Sequence, residues 1–276
     1  MCGYIREVGR IYRLWEMNPD YKNSGIELYN GDCLDIMKDI EDKSIDMIAC
    51  DLPYGSSACQ WDFIIPFESL WEQYKRIIKD NGAIVLTASQ PFTSALVMSN
   101  IKMFKYEWIW HKSKSGSAFT AKYRPVSKHE NVLVFAKGKT VYNPQMTEGE
   151  PYTRTHRIEE SDINNHKIGI NKREYTSVNT GYRYPTTVQY FQQKWRRQDQ
   201  LHPTQKPVAL FEYLIKTYTN ENDLVLDNCL GSGTTAIAAF NLNRRCIGIE
   251  SDTNYFNLAV DRINNHSYQE ELFKIV

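Results

Sequence analysis

The chain has no net charge: 33 Lys and Arg stand against 33 Asp and Glu in 276 residues. That absence removes the simplest signature of a nucleic-acid or membrane-surface protein, a global excess of basic side chains. No apolar run approaches the ~18 residues that a membrane-spanning helix requires. The N-terminus has no apolar stretch behind a basic start, because Glu7, Glu16 and Asp20 interrupt it, and no signal peptide is readable there. Cysteine is sparse. The six thiols, at positions 2, 33, 50, 59, 229 and 246, include no C-x-x-C pair. That spacing argues against a zinc site, so no metal is expected. A chain of this length builds its core without disulfides, and such cysteines fit a reduced, cytoplasmic protein.

What is present is the composition of a folded protein: 42% apolar, 13% aromatic and 24% charged residues. The zero net charge also conceals a strong asymmetry. Residues 111–210 carry 17 Lys and Arg against 8 Asp and Glu, and the remainder carries 16 against 25. A basic block between acidic flanks points to a polyanion contact in the middle of the chain.

The flanks read as alternating strands and helices. Strands are expected at Ile26–Tyr29, Ile45–Cys50, Ala83–Thr87, Tyr106–Trp110, Asn131–Phe135, Leu224–Leu226 and Cys246–Ile249. Helices are expected after Gly31-Asp32-Cys33 as far as Ile40, over Pro66–Asp80 with Asn81-Gly82 as the stop, and over Phe92–Ile101. Further helices are expected over Lys206–Tyr218, after Thr235, and over Asn254–Ile263. This alternation predicts a doubly wound, mostly parallel α/β sheet. Residues 113–200 differ: rich in Ser, Thr, Asn, Lys, Arg and Tyr, they show little periodicity outside 131–135. So long an irregular stretch is expected to be an inserted functional region.

Two motifs carry chemistry. The first is the glycine loop Asp227-Asn228-Cys229-Leu230-Gly231-Ser232-Gly233-Thr234-Thr235, between a strand and a helix. Glycines there permit a tight turn and close approach of a ligand to the backbone, at the strand end where doubly wound folds bind ligands. Glu250, at the end of the next strand, is placed to accept both ribose hydroxyls of a nucleoside. No Lys follows Gly233, so the loop is not a Walker P-loop, and it is not G-x-G-x-x-G either. A nucleoside without a pyrophosphate fits best. The second motif, Asp51-Leu52-Pro53-Tyr54, closes a strand with an acid, a turn and an aromatic. The acid and the turn carbonyls can accept hydrogen bonds from a planar amine while the ring stacks on it; an ordinary strand-to-loop turn is the plainer reading of that motif alone.

Together these segments resemble the S-adenosylmethionine-dependent DNA amino-methyltransferases. Asp51-Leu52-Pro53-Tyr54 is similar to that family's catalytic (D/N/S)-P-P-(Y/F) signature, with Leu52 replacing the first Pro. Leu230–Thr235 resembles the cofactor loop, and His202-Pro203-Thr204-Gln205-Lys206-Pro207 the segment ahead of the helix that leads to it. Gly31-Asp32-Cys33-Leu34 resembles the cofactor-adenine segment, and His129–Gly138 a further shared strand. One departure stands out: Asn228-Cys229 occupies positions where the family often has Pro-Phe. The catalytic motif precedes the glycine loop, which is the permuted order of the family's β group.

The resemblance implies a seven-stranded-type methyltransferase sheet in three parts. Residues 1–112 form the catalytic half, 113–200 an inserted target-recognition region that includes the core strand near 131–135, and 201–276 the cofactor half. Asp51, Leu52, Pro53 and Tyr54 are the implied catalytic residues. The cofactor, S-adenosylmethionine, is expected against Asp32, Cys33, Asp51, His202, Thr204 and Lys206, and against Asp227, Cys229, Gly231, Ser232, Gly233, Thr234 and Glu250. The basic run Lys194, Arg196 and Arg197 is the candidate for phosphate contact with double-stranded DNA. No membrane partner is expected; a homodimer and a cognate restriction endonuclease acting on the same site stay open.

The chemistry follows from residue types. An exocyclic base amine is a poor nucleophile because its lone pair is delocalised into the ring. Hydrogen bonds to Asp51 and to the Leu52 or Pro53 carbonyl would hold it ready for direct methyl transfer, by positioning and electrostatics. Methylation at cytosine C5 would need a nucleophilic Cys, typically after a Pro, and no proline here is followed by Cys. Cys50 is expected to face the core. The target base must leave the duplex, with Tyr54 as stacking partner. Asp51 favours N6 of adenine over N4 of cytosine, where the resembling enzymes usually carry Ser. N4-cytosine methylation, RNA base methylation and a catalytically silent DNA-binding protein are the alternatives. Trp61, Asp62, Trp71, His111 and His129 are expected to be structural.

Overall fold

Met47 and Ala49 face one side of a strand and Ile48 and Cys50 the other, and all four are fully buried. A strand buried on both faces belongs in the middle of a three-layer fold. The computed structural model, which describes residues 18–56, 62–115, 121–158, 173–193 and 205–275, has that architecture. In chain order, β1 (Tyr21–Asn23) and β2 (Ile26–Asn30) form a hairpin whose turn residues, Ser24 and Gly25, both have positive φ. Then come α1 (Cys33–Ile36), β3 (Ile45–Asp51), α2 (Phe67–Ile77), β4 (Ile78–Ala88), α3 (Phe92–Ser99), β5 (Phe104–Lys112) and β6 (His129–Phe135). The basic middle region holds β7 (Thr147–Glu148), β8 (Tyr152–Ile158), β9 (Arg173–Asn179), β10 (Tyr182–Arg183) and β11 (Val188–Phe191). The chain continues with α4 (Val208–Tyr218), β12 (Leu224–Asp227), α5 (Thr234–Asn241), β13 (Arg245–Glu250) and α6 (Thr253–Ile275).

The main sheet runs β1-β2-β13-β12-β3-β4-β6-β5-β11. From β2 to β4 neighbouring strands are parallel; β6 is antiparallel to both its neighbours, β4 and β5. The seven strands from β2 to β5 form the expected sheet, and β1 and β11 extend its two edges. One face packs on α4, α5 and α6 through Phe211, Leu214, Ala236, Ala239, Phe256 and Ala259. The other packs on α2 and α3 through Leu70, Trp71, Tyr74, Phe92 and Leu96. Each fully buried Leu, Ile or Val contributes about 1.5–3 kcal/mol through area removed from water.

Two sequence expectations are corrected. Asn81-Gly82 does not stop α2: the helix ends at Ile77, and the next residue, Ile78, already pairs with Ile45 in the sheet. Gly82 lies inside β4, where a Cβ would sit 2.8 Å from the Asp46 carbonyl oxygen, so its bare backbone admits the neighbouring strand. The middle region is also less irregular than its composition implies. β8 and β9 pair along their whole length, and β11 joins the main sheet beside β5, where the Trp110 indole donates to the Phe191 carbonyl at 3.2 Å.

Candidate active site

Asp51, Asp227 and Glu250 are the last residues of β3, β12 and β13, three strands that run in one direction. Their carboxylates therefore emerge at one edge of the sheet, into a cavity of about 760 Å³. That is the place and size of a ligand site in this class of fold. The cavity has two ends. One is lined by Gly31, Asp32, Cys33, Gly231, Glu250 and Tyr255, the other by Asp51–Tyr54, Lys112, Glu130 and Lys206.

At the first end the glycine loop is held from three sides. Asp227, almost wholly buried, accepts the Cys229 N–H at 3.0 Å and the Thr235 hydroxyl at 2.5 Å. Glu250 accepts the Gly231 N–H at 2.7 Å on one oxygen and the Asp252 N–H at 2.9 Å on the other. Arg262 of α6 donates to the Ser232 carbonyl at 2.8 Å and lies 3.2 Å from the hydroxyls of Ser232 and Thr234. Burial lowers the Arg262 guanidinium to about 10. Asp32 caps α1 by accepting the Leu34 N–H at 2.7 Å. Asn228 accepts the Tyr74 hydroxyl at 2.5 Å and directs its amide toward Cys33 Sγ and Cys229 Sγ, at 3.6 and 3.5 Å.

The two glycines divide the work. Gly231 has φ +54° and nothing within 4 Å of its would-be Cβ, so its backbone borders open space in the cavity wall. Gly233, at φ +80°, does not line the cavity; a Cβ there would lie 3.2 Å from Ala259 Cβ. It is the N-cap of α5, and its bare backbone serves the packing of that helix start on α6. Gly233, expected at the cofactor, thus stands behind the cavity wall rather than in it.

Asp227 sets a pH dependence. Burial raises its carboxyl to about 6, and hydrogen bonds from Thr235 and the Cys229 N–H offset only part of that. The folded chain thus keeps a proton that the unfolded chain, at about 3.9, releases. Stability is fully present below about pH 4 and falls as pH rises toward 6, by about 1.4 kcal/mol per unit. Asp227→Asn is expected to flatten this slope, read as the wild-type-minus-variant unfolding free energy in urea between pH 4 and 7. A difference that does not vary with pH would refute it.

At the second end, Asp51 is tied on both oxygens. Oδ1 accepts the Thr87 hydroxyl and, at 2.9 Å, the Tyr54 hydroxyl; Oδ2 meets the Lys206 ammonium at 2.6 Å. Lys206 also lies 3.4 Å from Glu130, whose other oxygen pairs with Lys112 at 2.7 Å. Tyr54 is half-buried rather than exposed. Its ring stacks on Phe92 at 5.2 Å, and burial together with the charges of Asp51 and Glu130 holds its phenol well above the usual range. Leu52 and Pro53 complete this wall, and Asp62 fastens the following turn through the Gly55 and Ser56 N–H groups, each at 2.8 Å.

The fold therefore gathers Asp51, Leu52, Pro53, Tyr54, Asp32, Cys33, Lys206, Asp227, Cys229, Gly231, Ser232, Thr234 and Glu250 around one cavity. Lys206 is directed to Asp51 rather than to the glycine-loop end. His202, Thr204, Lys194, Arg196 and Arg197 lie outside the described residues, as does Trp61. Gln193, on the cavity wall, directly precedes the basic run in sequence. Trp71 is core, donating to Ser99 Oγ at 2.8 Å, and His111 and His129 are cross-strand partners. Cys50 is fully buried, with burial pushing its thiol up to about 12. Among the described residues no cluster of His, Cys, Asp and Glu has the form of a metal site, and no helix is long and apolar enough to cross a membrane.

Sequence reading missed Thr87, Glu130 and Arg262. The first two are detectable as polar residues bounding apolar strand runs, Thr87 near the end of β4 and Glu130 near the start of β6. Arg262 stands in an α6 stretch that reads as an ordinary amphipathic face.

A sheet in which one antiparallel strand sits between β4 and β5, with the glycine loop and acid on its central strand ends, places the chain in the methyltransferase class of α/β folds. More narrowly, the chain belongs to the DNA methylase family, of N6/N4 methyltransferase type, whose profile matches residues 45–261. It is 28% identical over 279 residues to the DNA adenine methyltransferase YhdJ of Escherichia coli K12, spanning 92% of this chain and 89% of that one. The solved M1.HpyAVI–SAM complex superimposes with a TM-score of 0.59 at 27% identity, covering 87% of this chain and 99% of its own. The PvuII DNA methyltransferase, which is cytosine-N4-specific, shares the fold with a TM-score of 0.63 at 16% identity, over 88% and 87% of the two chains.

Proposed function

We propose that the protein transfers a methyl group from S-adenosylmethionine to the N6 amine of an adenine flipped out of double-stranded DNA at a specific site. The observation that carries this reading is the single cavity that holds Asp51 and Tyr54 at one end and the Gly231–Glu250 pair at the other. The residues fit the cofactor. Open space at Gly231 admits a ligand to the backbone. Glu250 uses one acceptor position of each oxygen on a backbone N–H, and a carboxylate has about four, which leaves places for two ribose hydroxyls. Asp32 and Cys33 border the adenine side, with Leu230 and Tyr255 as the apolar walls where Asn228-Cys229 offers no ring.

Bound there, S-adenosylmethionine supplies a sulfonium-activated methyl group. Asp51 accepts one amine hydrogen and the Leu52 or Pro53 carbonyl the other, holding the nitrogen lone pair toward the glycine-loop end. Tyr54 and Thr87 fix the Asp51 carboxylate. After transfer Asp51 is placed to take the surplus proton from the nitrogen. The acid at position 51 and the likeness to an adenine methyltransferase support adenine over cytosine. Lys194, Arg196 and Arg197 serve as phosphate contacts. Neutralising all three is expected to weaken DNA binding across sequences and to flatten the log–log salt dependence by about 0.9 per lost contact. An unchanged slope would show that the run is a solvated face.

The two glycines give a paired test of the pocket. Gly231→Val is expected to abolish S-adenosylmethionine binding with a modest loss of stability, because its side chain enters the cavity wall. Both positions have positive φ and lose some stability to backbone strain, but Gly233→Val is expected to lower the melting temperature more, because its side chain also meets Ala259. Calorimetry and thermal unfolding on both variants separate the roles.

The decisive experiment is modified-base sequencing of DNA from cells expressing the chain or its Asp51→Ala variant. N6-methyladenine at one motif, absent with the variant, is the expected result. N4-methylcytosine would transfer the reading to cytosine, and no modified base would sink it.

A further inference from the structure

Four alternating charges cross the catalytic end of the cavity in the order Lys112, Glu130, Lys206, Asp51, with separations of 2.7, 3.4 and 2.6 Å. All four line the cavity. Two features of this chain do not follow from the chemistry above. First, Asp51 has little left for a target amine: two hydroxyls fill the acceptor positions of Oδ1, and the one position left on Oδ2 lies beside the ammonium that holds the other. Charge-assisted hydrogen bonds are roughly twice as strong as neutral ones, so a neutral amine does not displace an ammonium that has nowhere to go. Second, Glu130 Oε2 is buried and accepts no hydrogen bond, although the Lys206 nitrogen is 3.4 Å away. Its ion pair with Lys206 is long, so this oxygen has room for a closer bond from the cation that holds Asp51.

We propose that Lys206 is a positioning residue that moves between two carboxylates: at rest it occupies Asp51 Oδ2, and when the target amine docks it shifts onto Glu130 Oε2, opening Asp51 to the amine. This rests on the function proposed above. Lys206 sits just ahead of α4, nearly fully buried, on a flexible stem with three donors that can exchange acceptors without moving the backbone. Burial opposes its charge, but Asp51 and then Glu130 more than offset that, so it is held as an ammonium between the two carboxylates. Lys112 fixes Glu130 by the other oxygen throughout. The exchange keeps each buried charge paired, which matters because a buried ion left alone is strongly destabilising.

The test compares binding, without cofactor, of duplexes that carry the mapped methylation motif with adenine or with purine, which lacks the amine, at the target position. Should the mapped base be cytosine, the analogue without its 4-amino group serves. The ratio of the purine to the adenine dissociation constant measures the contribution of the amine. The differing cost of flipping the two bases cancels between protein variants. Glu130→Gln, isosteric and still able to accept from Lys112, is expected to lower this ratio at least fivefold, because the displaced ammonium loses its destination. Adding Lys206→Met to Glu130→Gln is expected to restore the ratio to the wild-type value or above. A merely structural role predicts further loss instead. Lys206→Met alone, with Glu130 still paired to Lys112, is expected to raise the ratio, and it decides the matter if Glu130→Gln does not fold. An unmoved ratio in Glu130→Gln, no recovery in the double variant, or a fall in Lys206→Met each overturns the shuttle. Wild type that methylates DNA while the ratio stays fixed refutes only the shuttle; wild type that methylates nothing refutes the function.

Discussion

Asp51→Ala is expected to abolish methyl transfer while leaving S-adenosylmethionine affinity within a few fold of wild type. The carboxylate addresses the amine end of the cavity, whereas the pocket at Gly231 and Glu250 is built by other strands. The fold is expected to survive the change, because Lys206 keeps Glu130 as a counter-ion and the Thr87 and Tyr54 hydroxyls keep each other at 3.1 Å. Asp51→Asn is expected to be partly active at best: one amide oxygen still accepts, but the charge is lost and an amide nitrogen turned toward Lys206 meets an ammonium, which only donates. Tritium transfer from labelled cofactor to DNA, together with calorimetric titration of the cofactor, reads both effects. Retained turnover in the alanine variant would remove Asp51 from the chemistry.

Glu250→Ala is expected to have the second largest effect, lowering cofactor affinity by about 100-fold. Leaving ribose hydroxyls unpaired costs about 1–3 kcal/mol. The structure adds a second loss, because the same carboxylate positions the Gly231 N–H and the Asp252 N–H, so the loop and the start of α6 lose their anchor together. Glu250→Gln keeps one acceptor oxygen and is expected to fall between the two. Binding that is unchanged by calorimetry in the alanine variant would place the cofactor elsewhere.

The contrast between the two glycines shows where local reading ends. Both stand in one Gly-Ser-Gly turn, and composition cannot tell them apart. Only the arrival of α6 against α5 makes Gly233 a packing residue and leaves Gly231 to the cavity. The same holds for Lys206. A basic residue in a short segment ahead of a helix carries no sign of its partner, and the carboxylate it meets is 155 residues away. Tyr54, expected as the stacking partner of the base, is itself packed on Phe92, because α3 closes over the loop that carries it.

What the sequence by itself determined is what depends on neighbours in the chain. The two-residue period of β3, the glycine turn at 231–233 and the acids at the ends of three strands are local patterns, and parallel strands necessarily deliver their last residues to one edge. The tertiary structure decided what depends on pairs of distant groups: which partners hold each oxygen of Asp51, that Glu130 Oε2 is left with only a long ion pair, and that β11 returns to close the sheet edge. Periodicity encodes burial, which one residue can express alone. Ion pairing and hydrogen-bond satisfaction belong to two groups at once, and they exist only when the sheet brings both into one cavity.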